Sequence, residues 1–193
     1  MKAEISSVIP GSIGDELGIK KGDVLISING RVPLDLIDYR YLTADDYIDV
    51  EIEKQNHQRV ILEIEKDEDE DLGLVFTQDT FDGMKRCKNK CIFCFVDQMP
   101  PDLRDSLYIK DDDYRLSLLY GNFITLTNLK EEDINRIINL HISPIYISVH
   151  TTEPDLRKRM LNNARAGEIM KHISRLAAAG IEMHTQVVLC PGI

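Results

Sequence analysis

The 193-residue sequence lacks an apolar run of the roughly 18 residues that a membrane-spanning helix needs. Its first residues, MKAEISSVIPG, also lack the apolar core of a signal peptide. Cysteine is scarce: the chain has four, and three of them lie within eight residues, which is not the distribution of a secreted disulfide scaffold. These absences predict a soluble cytoplasmic protein that does not associate with a membrane.

Positively charged residues are fewer than negatively charged ones: 23 Lys and Arg against 33 Asp and Glu give a net charge of −10. Residues 1–79 carry 8 Lys and Arg side chains against 19 Asp and Glu, whereas residues 80–193 carry 15 against 14. The acidity of the first part disfavours a polyanionic partner there. The near-neutral second part neither supports nor excludes a nucleic-acid substrate.

The segment CKNKCIFC places Cys87, Cys91 and Cys94 in a C-x3-C-x2-C spacing. Three thiolates this close share one small space if the loop wraps around an iron–sulfur cluster or a metal ion. The fourth cysteine, Cys190, lies far downstream in a Cys-Pro-Gly segment, so the loop alone would leave one iron of a 4Fe-4S cluster open. The alternative is structural zinc, held by the three cysteines together with His150 or Cys190.

The cysteine loop, with Phe93 directly before its third cysteine, resembles the signature of the radical S-adenosylmethionine (radical SAM) enzymes. The resemblance implies that the three cysteines ligate three irons of a 4Fe-4S cluster, that SAM chelates the fourth iron, and that Phe93 lies beside the adenine. It also implies reductive cleavage of SAM to a 5′-deoxyadenosyl radical and then hydrogen-atom abstraction. An external reductant such as flavodoxin or ferredoxin would supply the electron.

Before the cysteine loop, short strands and turns alternate. The patterns predict a strand over residues 24–28, a helix over residues 34–42 and a hairpin over residues 47–53 and 59–65. This order, with PGS followed by LGIKKGDVLISING, resembles a bacterial-type PDZ domain over roughly residues 3–77. The charged run at residues 66–71 is typical of a solvated linker, and we expect domains at residues 1–78 and 79–193.

The PDZ resemblance implies capture of a peptide C-terminus, which adds as a strand to a sheet edge. Leu72, Gly73, Leu74 and Val75 match the φ-G-φ-φ loop that receives the terminal carboxylate, in a circularly permuted arrangement. The alternative is that these four residues form a linker and the first strand of the next domain.

Strand and helix patterns alternate after residue 79. Strands are predicted over residues 123–127, 145–149 and 181–189, and helices are predicted to begin with caps at Asn128 and Thr152 and to end at Gly180. Such alternation indicates a parallel sheet covered by helices. The expected fold is an α+β PDZ-like domain followed by an α/β partial (βα)6 radical SAM barrel. That barrel would be incomplete at its C-terminus, because the remaining length suffices for about four strands.

Polar residues at the predicted strand ends are the candidates for contacts with SAM or substrate, because the active sites of such barrels gather at the C-terminal ends of strands. They are Thr127, Asn128, Ser148, His150 and Gln186.

The Gly-Gly-Glu-like motif that the family carries after its second strand is replaced here by Leu126-Thr127-Asn128-Leu129. Recognition of the SAM amino group would therefore use hydroxyl, amide or backbone oxygens, with Gly121-Asn122 as a second candidate. The acidic triplet Asp111-Asp112-Asp113 is predicted to be a cap or a solvated turn rather than a Mg²⁺ site.

Taken together, these features predict a radical SAM enzyme of unassigned substrate with a PDZ peptide-binding module. Two alternatives remain open. One is a PDZ adaptor with a structural zinc site, and the other is an iron–sulfur electron carrier whose cluster takes a fourth protein ligand such as Cys190.

Overall fold

The computed structural model describes residues 2–68 and 70–193, so Asp69 of the predicted charged linker lies outside the described residues. The chain divides into two compact units, Met1–Gly83 and Met84–Ile193. The predicted domain boundary after residue 78 falls near the end of the first unit.

The first unit is a five-stranded antiparallel sheet with two short helices, and its strand order is β4-β3-β2-β1-β5. Its elements are β1 (Ala3–Val8), α1 (Ile13–Glu16), β2 (Val24–Ile28), α2 (Leu36–Leu42), β3 (Tyr47–Glu53), β4 (Arg59–Glu65) and β5 (Leu74–Phe76). The predicted strand, helix and hairpin are all present. Ile48, Val50 and Ile52 alternate into the core of β3 and are fully buried, as the period of a half-buried strand requires.

The pairing of β5 shows that residues 74–76 belong to the sheet of the first unit. The strand pairs antiparallel with β1, with Val8 opposite Leu74, at the edge of the first sheet. The alternative that this segment is the first strand of the next domain is therefore wrong. The charged run before it is also not wholly solvated, since Lys66 is buried and donates to the carbonyl oxygens of Asp67 and Glu68.

The second unit contains four helices and a small parallel sheet among its described residues. Its elements are α3 (Tyr114–Tyr120), α4 (Glu131–Asn139), β6 (Ile145–Ser148), α5 (Pro154–Leu161), α6 (Ile169–Ala178) and β7 (Met183–Gln186), with 3₁₀ turns at Asp105–Tyr108 and Ala164–Glu168. β6 and β7 pair in parallel, and Ile124 forms a single parallel bridge to Ile147. The predicted strand over residues 123–127 is thus reduced to one bridge, and the finer prediction of a (βα)6 barrel is not confirmed.

Two predicted helix caps are wrong, because nearby carboxylates satisfy the first backbone N–H groups instead. α4 begins after Lys130, whose N–H donates to Asp133, 2.9 Å away. α5 begins with a proline, a residue favoured at this position, and the Glu153 carboxylate accepts from the Asp155 N–H. Neither Asn128 nor Thr152 is the cap.

The acidic triplet was predicted to be a cap or a solvated turn, and only the first part of that prediction is correct. Asp113 caps α3, a helix that the sequence patterns did not identify, and it also pairs with Arg115. Asp112 and Asp113 are almost completely buried, so the triplet is not solvated. Gly121 ends the helix with φ of +74°, a conformation that favours glycine.

Candidate cofactor site

Cys87, Cys91 and Cys94 line one cavity of about 470 Å³ in the second unit. Its size is within the range of small-molecule pockets, about 300–1,000 Å³. Four further residues that the sequence predicted for the site line the same cavity: Phe93, Ser148, His150 and Gln186. Residues that are far apart in the chain therefore meet at one place.

The cysteine loop is held against α5 and a neighbouring segment by backbone hydrogen bonds. The N–H of Cys87 donates to Lys110, those of Lys90 and Ile92 donate to Leu161 and Met160, and the distances are 2.9, 3.1 and 3.0 Å. These bonds satisfy backbone groups of a loop that has no regular secondary structure.

The ends of β6 and β7 supply the opposite wall of the cavity. Ser148 and Gln186 are register partners, and the Gln186 Nε2 donates to the Ser148 Oγ at 2.8 Å. The rings of Phe93 and His150 meet edge-on with centroids 4.5 Å apart. The carboxyl ends of the two parallel strands and the cysteine loop thus line the same cavity.

His150 is a neutral, buried imidazole. Burial, with a smaller contribution from the nearby Arg157 charge, lowers the pKa of His150 to about 4. Its Nδ1 accepts a hydrogen bond from the Val188 N–H at 3.3 Å. At neutral pH the ring therefore acts as a hydrogen-bonding and packing group, not as a cation.

Arg157 in α5 is a residue that the sequence analysis missed. Its side chain is 1% exposed, and its three nitrogens donate to four backbone carbonyls, those of Thr125, Ser148, Val149 and Ala166, at 2.7 to 3.1 Å. Burial lowers its pKa to about 10, so the guanidinium stays charged at neutral pH. Its hydrogen bonds join the end of β6, at Ser148, to Thr125, which follows the Ile124–Ile147 bridge.

The thiols of Cys87 and Cys91 lie in an environment that resists ionisation. Burial raises the pKa of Cys87, and burial with the like charges of Cys87 and Cys94 raises that of Cys91 to about 11. Lys110 acts in the opposite direction on both thiols. Coordination to a metal deprotonates such thiols, so they become thiolates when they bind a metal or a cluster.

The lining of the cavity includes thiol donors of the kind that an iron–sulfur cluster takes. The three thiols line a cavity of small-ligand size, which leaves room for a group larger than an ion. Among residues 2–68 and 70–193, no three His, Cys, Asp or Glu side chains form a group that could hold one metal ion.

Two predicted residues lie elsewhere. The described residues that line the cavity include Thr125, but not Thr127 or Asn128. Thr127 is buried behind the loop, where its hydroxyl donates to Asn89, and the Asn128 amide donates to the Asp112 carbonyl. Gly121 and Asn122, the second candidate for contact with the SAM amino group, do line the cavity.

The predicted peptide loop lies in the first unit. Leu72 and Leu74 are buried, whereas Val75 is exposed on the edge strand. The Gly73 N–H donates to the Asp71 Oδ1 at 2.6 Å. Gly73 has φ of +75°, and a Cβ there would lie 2.2 Å from the Ser12 Oγ, so only glycine fits.

Comparison with family models identifies both parts of the chain. A PDZ domain model matches residues 4–54, and a radical SAM-like domain model matches residues 66–193. Because the second match covers most of the chain, the chain belongs to the radical SAM-like domain family. The predicted combination of a PDZ domain with a radical SAM domain is confirmed. A search of curated proteins found no match.

None of the helices among the described residues combines the length and the apolar character that a bilayer crossing requires.

Proposed function

We propose that the second unit binds a 4Fe-4S cluster through Cys87, Cys91 and Cys94, and binds SAM in the adjoining cavity. The observation that carries this proposal is the meeting of three thiols with the ends of two parallel strands around one cavity. When bound, the cluster and SAM supply one-electron cleavage of SAM to a 5′-deoxyadenosyl radical. The substrate that would lose a hydrogen atom is unassigned.

The residues around the cavity would orient the cofactor. Phe93 offers a ring face or edge to the adenine, and Ser148 and Gln186 offer a hydroxyl and an amide for polar contacts. Asn122 and the backbone at Gly121 would replace the carboxylate that the family uses to contact the SAM amino group. Thr127 and Asn128, which lie behind the wall, would act indirectly, through Asn89 and Asp112.

A reductant would approach the cysteine loop at a second cavity of about 590 Å³, which also borders Cys87 and Cys91. Lys88, Lys90 and Lys110 line this cavity together with Asp97. Lysines around a redox centre favour an acidic electron-donor protein, of which flavodoxin and ferredoxin are examples.

The first unit would act as a peptide-binding module, as a PDZ domain suggests. Strand β5 ends the sheet order, so it offers an edge to which an extended peptide can add. Leu72, Gly73, Leu74 and Val75 would form the receiving loop. Together with the second unit, this gives a radical SAM enzyme that also binds peptide, and we expect it to act in the cytoplasm.

Metal analysis of matched variants tests the proposal. The full chain, reconstituted anaerobically with iron and sulfide, should hold about four irons and four sulfides per chain, as a 4Fe-4S cluster requires. The Cys91→Ser variant should lose most of them, whereas Cys190→Ala should retain them. Zinc without iron in the unsubstituted chain would favour the structural zinc site instead.

The Cys190 variant also tests the electron-carrier alternative. Cys190 packs against the same small apolar group as Cys91, formed by Met160, Leu161 and Ala166, so it lies on the same side of the unit. A cluster lost in Cys190→Ala would identify that thiol as a fourth ligand and favour an electron carrier.

A further inference from the structure

Asn89 lies inside the cysteine loop, yet it is 2% exposed. Its amide makes four hydrogen bonds, which is the full capacity of two N–H donors and two oxygen lone pairs. The Nδ2 donates to the Cys87 Sγ at 3.4 Å and to the Thr125 Oγ1 at 2.9 Å. The Oδ1 accepts from the Thr127 Oγ1 at 3.1 Å and from the Asn163 Nδ2 at 2.7 Å.

The partners of the amide fix its orientation. The Thr125 hydroxyl also donates to the Asp112 Oδ2 at 2.7 Å, so its oxygen is available to accept from the Asn89 N–H. On the opposite side, Asn163 brings an N–H group toward the Asn89 oxygen. The nitrogen of the amide therefore faces the cysteine sulfur, and the oxygen faces away from it.

A hydrogen bond from N–H to a ligating sulfur favours the state with more negative charge on that sulfur. A reduced cluster carries one more electron than the oxidised cluster, so such a bond stabilises the reduced state more. The donor is buried with Asn89 and the acceptor, Cys87, is half-buried, so the bond is partly shielded from water and its effect is larger than it would be in water.

We propose that Asn89 is a positioning residue that holds Cys87 in place and raises the reduction potential of the cluster through its N–H···S hydrogen bond. The proposal rests on the proposed function, since it needs a cluster on this loop. It adds a residue between the first two cysteines of the loop that reaches the cavity lining through Cys87 and Thr125.

The test compares reduction potentials of reconstituted full-length chains, measured by redox titration monitored by electron paramagnetic resonance. Asn89→Ala should shift the potential to a more negative value. Asn89→Leu should do the same, because it keeps the size of the side chain but has neither a charge nor an N–H donor. If the alanine variant does not hold its cluster, the leucine variant provides the measurement.

Asn163→Ala is the matched control. It removes one hydrogen bond to the same amide but leaves the N–H···S bond, so its potential should equal that of the unsubstituted chain. Equal reduction potentials in all variants, or the same shift in Asn163→Ala, would contradict the proposed role of Asn89. Neither result would contradict the proposed function. An unsubstituted chain that takes up no iron and sulfide would overturn the proposed function, and the role of Asn89 with it.

Discussion

The ring of Phe93, in the cysteine loop, meets the ring of His150, at the end of β6, edge-on at 4.5 Å. The two residues are distant in the chain, and each was predicted separately to lie at the site. Their contact joins the loop that would hold the cluster to the strand end that would hold SAM. Variants of this pair therefore report on the cavity.

Phe93→Ala should weaken SAM binding about fivefold, because an aromatic contact of this kind is worth about 1 kcal/mol. Equilibrium dialysis of the reconstituted chain with labelled SAM would measure the change. Ile92→Ala, the neighbouring position at 47% exposure, is the control and should bind SAM as the unsubstituted chain does. Equal affinities for Phe93→Ala and the unsubstituted chain would show that Phe93 does not contact SAM.

Stability should fall at acidic pH partly because of His150. Its pKa is lowered from 6.5 to about 4 in the folded state, so the unfolded chain takes up the proton first as the pH falls. The contribution of the neutral His150 side chain to the free energy of unfolding is complete above pH 6.5 and is lost as the pH falls toward 4. His150→Gln should therefore show a weaker fall in urea-unfolding stability between pH 7.5 and 5.

His184→Gln is the control for that measurement, because its side chain is 49% exposed. It should keep the pH dependence of the unsubstituted chain. The role assigned to His150 would be wrong if its variant lost stability with pH as steeply as the control.

Arg157→Met should destabilise the second unit by about 3 kcal/mol, because it removes the guanidinium that donates to four buried carbonyl oxygens, of which that of Val149 also accepts from the Thr151 N–H. Urea unfolding at neutral pH measures the change. Arg159→Met, an exposed position on the same helix, should change the free energy of unfolding by less than about 0.5 kcal/mol. Similar losses in both variants would contradict the bracing role of Arg157.

Asp71 should weaken binding of a peptide C-terminus, because its carboxylate already accepts the Gly73 N–H. Asp71→Ala frees that N–H and removes a like charge. The variant should bind peptides with a free C-terminal carboxylate more tightly than the unsubstituted chain does, with amidated copies of the same peptides as controls. A fluorescence-anisotropy screen that finds no difference between the two peptide forms would exclude this loop as a carboxylate site.

The sequence predicted the features that depend on local patterns. The alternation in β3, the cysteine spacing, and the polar residues after β6 and β7 follow from residue order, and the structure brings Ser148, His150 and Gln186 to the cavity. For residues 72–75 the sequence left two alternatives, a peptide-receiving loop and the first strand of the next domain, because so short a segment carries too little pattern to reveal its partner strand.

The features that the sequence did not predict depend on contacts between distant residues. Asn89 bonds to Asn163, 74 positions away, and Arg157 bonds to Thr125, 32 positions away. No spacing rule marks such pairs. Thr127 looked like a site residue because it follows a strand, but its hydroxyl points to the buried amide of Asn89 and not to the cavity.

The most direct test of the central claim is electron paramagnetic resonance of the anaerobically reconstituted and reduced chain, recorded with and without SAM. The account predicts a reduced 4Fe-4S signal whose g values change when SAM is added, because SAM would bind the iron that lacks a cysteine. A reduced cluster whose signal is the same with saturating SAM would contradict it.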